Sequence, residues 1–154
     1  MNGISRPAGA VFWLIAVVSL IWNGFGGYDY LMSKLRKMDY LTGVTGDQAL
    51  AEQMLAMLDA MPVWAHVLWG LGVWSSVLGS VLLLMRSRHA VPVFLVSLVA
   101  AGLSFAYQFT LTMPPGLDSP AMKIMPLVIL GVIALQWWWA RRKVADGTLR
   151  CMGS

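Results

Sequence analysis

Four uninterrupted apolar stretches, each long enough to thread a bilayer, limit this chain more than any other feature. A helix rises 1.5 Å per residue, so about 20 apolar residues cross a hydrocarbon core of roughly 30 Å. Stretches from about residue 9 to 32, 63 to 85, 90 to 111 and 121 to 140 reach that length. Between them stand stops: Arg6-Pro7, Pro62, the run 86–89 with Pro92, Pro114-Pro115, and Arg141-Arg142-Lys143. Period-2 alternation is missing, which argues against a transmembrane barrel. A cleaved signal peptide fits the first stretch poorly, because it is too long for an h-region and no cleavage pattern follows. Charged residues make up 12% of the chain, against about 25% in soluble domains, too few to cover a water-facing surface. The expected fold is all-α, one integral membrane domain over residues 1–154. It is an antiparallel four-helix up-and-down transmembrane bundle with a short periplasmic amphipathic helix.

Lysine and arginine set the expected sidedness. Arg6, Arg86, Arg88, Arg141, Arg142, Lys143 and Arg150 fall on one side, and Lys34, Arg36, Lys37 and Lys123 on the other. Seven against four places both termini and the 86–89 turn in the cytoplasm. Trp137-Trp138-Trp139 before Arg141 reads as an aromatic girdle at that interface. The piece between the first two spans includes a helix over about 47–61, opened by Thr45-Gly46-Asp47-Gln48. Leu50, Met54, Met57 and Met61 give that helix an apolar stripe.

Spans associate in lipid through close packing and interhelical hydrogen bonds. Gly72, Ser76 and Ser80, with Ser75 and Gly79 beside them, form a small-residue face on the second span. Ser97, Ala101 and Ser104 form another on the third, and the short turn between these spans brings the two faces together. Pro126 either bends the fourth helix or marks an irregular approach to a shorter one.

Polar groups inside a span are costly, so each needs a partner or a use. On this topology Asn23, Tyr28, Asp29, Tyr30, His66, Gln108 and Lys123 all fall in the periplasmic half, whereas the cytoplasmic half offers little beyond Gln136. Asp29 sits near a helix C-terminus, where an anion opposes the macrodipole. It calls for a cation or several donors, and His66, Lys123, Lys34 and Arg36 are the candidates. The shared depth fits an interhelical network, or a cavity receiving a small polar solute, a lipid headgroup or a proton. Gly24-Phe25-Gly26-Gly27 lets another backbone approach or lets the first helix unwind.

Catalytic constellations are sparse. The lone Cys151 forbids an internal disulfide or a multi-cysteine metal site. His66 and His89 belong to opposite membrane faces, against bis-histidine haem or a multi-histidine metal site. No serine–histidine–acid set is indicated, and no cofactor is called for. The basic residues are not interleaved with aromatics, so nucleic acid is not an expected partner. Gly153-Ser154 carry no structural weight.

The segment Ile21-Trp22-Asn23-Gly24-Phe25-Gly26-Gly27-Tyr28-Asp29-Tyr30 resembles the LWN…G…DY signature of small four-span bacterial inner-membrane proteins. Pro62-Val63-Trp64-Ala65 and the turn over residues 83–92 are similar too, so the resemblance covers about residues 14 to 107. It implies the cytoplasmic membrane of a Gram-negative bacterium. The "sugar transporter" label that members carry implies solute transport. It puts Asn23, Tyr28, Asp29 and Tyr30 at motif positions.

The expected function is that of a non-enzymatic inner-membrane protein, an accessory, regulatory or small-ligand- or lipid-binding component. Its expected partners are membrane lipids and a homo-oligomer or larger membrane complex. The alternative is an oligomeric small-solute transporter, since four helices alone enclose too little space for a sugar pathway. A membrane enzyme or electron-transfer subunit ranks third.

Overall fold

The computed structural model describes residues 7–150. Arg6, Cys151 and Gly153-Ser154 therefore lie outside the described residues. The chain is all-helical: α1 (Ala10–Lys34), α2 (Met38–Thr45), α3 (Gln48–Ala60), α4 (Val63–Leu84), α5 (Ala90–Phe109) and α6 (Pro120–Ala145). Four of these, α1, α4, α5 and α6, are long and apolar enough to cross a membrane.

Local chemistry fixes the helix ends. Gly46, at φ 79°, closes α2 in the left-handed conformation that glycine adopts without a steric penalty. Asp47 then caps α3, its carboxylate accepting from the backbone N–H of Ala49 at 2.7 Å and Leu50 at 3.1 Å. Ser119 caps α6 through the Met122 N–H at 3.3 Å, with Pro120 in the first turn. Both open alternatives close on a continuous helix. α6 runs unbroken through Pro126, and α1 runs unbroken through its three glycines. In lipid a helix that keeps its own hydrogen bonds avoids exposing bare amides.

α4 is the central element. Along α1 and α4 the contacts pair Ser19 with Ser80, Gly27 with Val77, Tyr30 with Gly70, and Lys34 with His66. Along α4 and α5 they pair Gly79 with Phe94, Gly72 with Ala101, and Trp64 with Tyr107. At Gly72 an added Cβ would stand 3.0 Å from the Ala101 nitrogen, so backbone meets backbone there. Ser97 Oγ donates to the Gly72 carbonyl at 2.7 Å across that contact. The small-residue face of α4 thus divides: Gly72 and Gly79 admit α5, while Ser76 and Ser80 serve α1.

Each end of the bundle has its own closure. At one end Leu41, Ala51, Met61 and Leu117 are buried where α2, α3 and the α5–α6 loop meet. Gly116, at φ 99°, lies against Leu50 in that cap. At the opposite end Phe12, Ala16, Leu83, Ala90, Phe94, Ala140 and Leu149 form the apolar core. Residues 146–150 are tied to the α4–α5 turn beside it. Arg150 N–H donates to the Arg86 carbonyl at 2.8 Å, and Arg88 N–H to the Arg150 carbonyl at 2.9 Å. The Arg86 guanidinium donates to the Thr148 carbonyl at 3.1–3.2 Å. Here Trp137, Trp138 and Trp139 each lie under the cation four residues on: Arg141, Arg142 and Lys143.

α6 is the least enclosed span. Its buried residues are Ile133, Gln136 and Ala140, and none of residues 120–132 is buried.

Candidate functional site

Near the midpoint of α1, Asn23 turns inward and is 4% exposed. Its side-chain nitrogen donates to Ser80 Oγ at 2.8 Å, Gln136 Oε1 at 3.1 Å and the Ser76 carbonyl at 3.3 Å. Since the Ser76 carbonyl can only accept, the amide nitrogen and not the oxygen must face this group. The two N–H bonds go to Ser80 and Gln136, with the longer Ser76 contact sharing a hydrogen. Gln136 Nε2 donates to Ser19 Oγ at 2.8 Å, and Ser19 Oγ lies 3.0 Å from Ser80 Oγ. Ser80 gives its own hydrogen to the Ser76 carbonyl at 3.0 Å, so Ser19 must be the donor toward Ser80. The result is a closed ring from Gln136 through Ser19, Ser80 and Asn23 back to Gln136. It joins α1, α4 and α6 with neutral groups, so desolvation is offset without burying a charge.

A second set of polar residues lies at the α2–α3 end. Tyr40 of α2 donates its phenol to Asp29 Oδ1 at 2.7 Å. Burial, then the hydrogen bond to Asp29, push the Tyr40 phenol up to about 12, so it remains a proton donor. Tyr28 meets Tyr40 edge to face at 5.5 Å. Tyr30 packs on Trp69 and Trp74, and its hydroxyl occupies the space that Gly70 leaves open. Lys34 donates to His66 Nδ1 at 3.3 Å. Arg36 pairs with Asp59, and Lys123 with Asp118 at 2.6 Å.

The seven residues singled out by sequence therefore do not form one cluster. Asn23 belongs to the mid-depth ring, with Gln136 as its principal partner from α6. Asp29 takes the Tyr40 hydroxyl in place of His66, Lys123, Lys34 or Arg36, each of which has a different partner. Tyr28 joins Asp29 through Tyr40, while Tyr30 belongs to the aromatic contact with α4. Gln108, half-buried in the last turn of α5, gives its backbone carbonyl to the Leu111 N–H, and its side chain engages none of the described residues. α2, α3 and the α5–α6 loop supplied partners that depth alone could not rank.

No known protein family, curated protein or solved structure matches the chain. The function must be argued from the sites themselves.

Sequence reading missed Ser19 and Ser80 as members of the ring and the Ser76 carbonyl as its acceptor, although the spacing of Ser76 and Ser80 was visible. It also missed residues 146–150. Asp146 accepts from Lys143 at 2.8 Å and from the Thr148 hydroxyl and N–H at 2.6 and 3.1 Å. Burial works to raise its carboxyl, but these bonds outweigh it and hold the group down at about 2. The signal was Asp146-Gly147, a helix-stop pair whose glycine sits at φ 79°. A shallow cleft of about 280 Å³ lies beside this segment, between Pro7, Phe12, Trp139, Lys143 and Thr148. Among the described residues no group of three or more His, Cys, Asp or Glu converges as a metal site would require. Among the described residues, the buried Ser33 Oγ, Ser104 Oγ and Trp137 Nε1 lack a partner.

Proposed function

We propose that this is a non-enzymatic, multi-pass protein of a bacterial cytoplasmic membrane, acting as an accessory, ligand-binding component and not as a conduit. Its spans form an antiparallel up-and-down bundle with cytoplasmic termini and with α2 and α3 on the periplasmic side. The seven-to-four distribution of basic residues supports that orientation. The single observation that carries the functional reading is the ring of Ser19, Asn23, Ser80 and Gln136. It lies where a solute path through one bundle would run, and its four members are bonded to one another in a closed circuit. Groups that hand a solute along must exchange partners, whereas a closed neutral ring holds helices in register. What remains available is the α2–α3 end, where half-buried Asp29 lies beside exposed Tyr28.

Reconstituted vesicles test this reading. Wild-type protein should give no uptake of sugars or other small polar solutes above empty vesicles. Uptake that Asn23→Leu abolishes, while the variant still inserts and folds, would establish the transporter alternative. Labelling of single cysteines at Arg88 and Asp118, in a chain lacking Cys151, tests the sides. Reagent confined to the periplasm should reach position 118 and not 88.

A further inference from the structure

Ser19, Trp22, Gly26, Asp29 and Ser33 follow one another along α1 at three- and four-residue steps, so they form one stripe of the helix. The ring engages Ser19 at the foot of the stripe. Above it the stripe is open: apart from its chain neighbours and the backbone of its own helix, nothing lies within 4 Å of where a Cβ on Gly26 would stand. α6, which meets Ser19 through Gln136, buries nothing over residues 120–132.

At the head of the stripe two acceptors are left over. Asp29 Oδ1 receives the Tyr40 hydroxyl, and Oδ2 engages none of the described residues. One turn on, and on the same face, Ser33 is 2% exposed, yet its Oγ has no hydrogen-bond partner. A buried hydroxyl without a partner is a destabilising arrangement that native proteins seldom keep. Both groups stand in the last two turns of α1, where the helix dipole adds negative potential. Nearby cations face elsewhere: Lys34 contacts His66, Arg36 pairs with Asp59 and Lys123 with Asp118, while exposed Lys37, three residues before Tyr40, engages neither Asp29 nor Ser33. The arrangement lacks a positive charge that donates several hydrogen bonds. A primary ammonium supplies both: one N–H for Asp29 Oδ2 and, once the packing that encloses Ser33 Oγ loosens, one for that hydroxyl. The Tyr28–Tyr40 pair beside it adds aromatic faces of the kind that attract cations.

We propose that Asp29, Ser33 and Tyr40 form a binding site for the primary ammonium of an aminophospholipid headgroup, with an acyl chain lying along the open Gly26 stripe. Depth favours a lipid source over a soluble amine. The end of a span lies at headgroup level, and the open stripe continues from it into the hydrocarbon. The inference names the ligand of the accessory, ligand-binding reading above and rests on it.

The test places the full-length protein in phosphatidylglycerol nanodiscs and adds phosphatidylethanolamine, phosphatidylcholine or free ethanolamine. Retained lipid is read by native mass spectrometry, and Tm is followed in parallel. Phosphatidylethanolamine should be retained about tenfold over phosphatidylcholine, whose quaternary headgroup cannot donate; one charge-assisted hydrogen bond is worth about that factor. Asp29→Asn should remove most of this preference, and Ser33→Ala should reduce it several-fold. In phosphatidylglycerol alone, Ser33→Ala should keep or slightly raise the wild-type Tm, and Asp29→Asn should lower it slightly by weakening the Tyr40 bond. Equal retention of the two lipids by wild-type protein would overturn the site, and that arm does not depend on any variant folding. A Tm rise with ethanolamine in discs free of phosphatidylethanolamine would overturn the lipid source. Solute uptake is independent of these readouts, so loss of headgroup preference without uptake sinks the site and leaves the accessory reading standing.

Discussion

Replacing Asn23 by leucine is the sharpest test of how the bundle is held. Leucine fills a similar volume and packs in an apolar span, so a cavity contributes little. What disappears is the nitrogen that donates to Ser80, Gln136 and Ser76. Interhelical hydrogen bonds in membranes average about 0.6 kcal/mol and reach about 1.7. Two full bonds and one shared bond therefore account for about 1.5 kcal/mol. Gln136 Oε1 is then left without its donor, and a buried unsatisfied acceptor costs about 1 kcal/mol or more. The expected destabilisation is about 2–3 kcal/mol, read from reversible unfolding in mixed micelles as dodecyl sulfate is added. Gln136→Leu should cost a similar amount, through loss of its bonds to Asn23 and Ser19. The double variant should be less destabilised than the two singles added together, by about 1 kcal/mol, because neither residue then leaves the other unpaired. Additive effects, or an Asn23→Leu variant within about 0.5 kcal/mol of wild type, would refute the ring as a stabilising unit.

Other substitutions should behave differently, for stated reasons. Ser104→Ala removes a buried hydroxyl that has no partner and is 1% exposed; it should be neutral or stabilise by up to about 1 kcal/mol in the same assay. Gly72→Ala meets Ala101 backbone at 3.0–3.2 Å, forces α4 from α5 and weakens the Ser97 bond, so a loss of about 1–3 kcal/mol is expected. For Asp146 the folded value is about 2 against 3.8 unfolded. Its contribution is present above pH 4 and is lost as pH falls through 2. Partial exposure limits this to about 1 kcal/mol, so the stability gap between wild type and Asp146→Asn should close over that window. Tyr40 has the opposite sign: its stabilisation persists below pH 10 and is lost as pH rises through about 12. Tyrosinate absorbance should show a last step there that is missing in Tyr40→Phe.

Asp29 and Asn23 show where inference from the residues stops. Both were recognisable as polar groups in a span that must find partners, because lipid offers none. Depth along a helix follows from counting residues, so the periplasmic-half grouping could be written down in advance. Azimuth and reach could not. Asn23 turned toward Gln136 and Ser80, and Asp29 met Tyr40 of α2, a helix the sequence reading had not identified. Ser76 and Ser80 looked like packing for α5 and instead serve α1, because Gly72 and Gly79 already provide the close approach to α5.

The amino-acid order by itself determined the four apolar helices, the stops between them and a helix start over residues 45–48, where the structure puts the cap on Asp47. These depend on local energetics: the cost of bare amides in hydrocarbon, and side chains that reach the backbone two or three residues away. Tertiary structure alone decided which polar groups meet, that residues 146–150 fasten onto the α4–α5 turn, and that Ser33 keeps an unmet hydroxyl beside Asp29. Such pairings depend on how helices rotate and tilt against one another. That choice rests on many contacts of comparable strength and leaves no short-range mark in the chain.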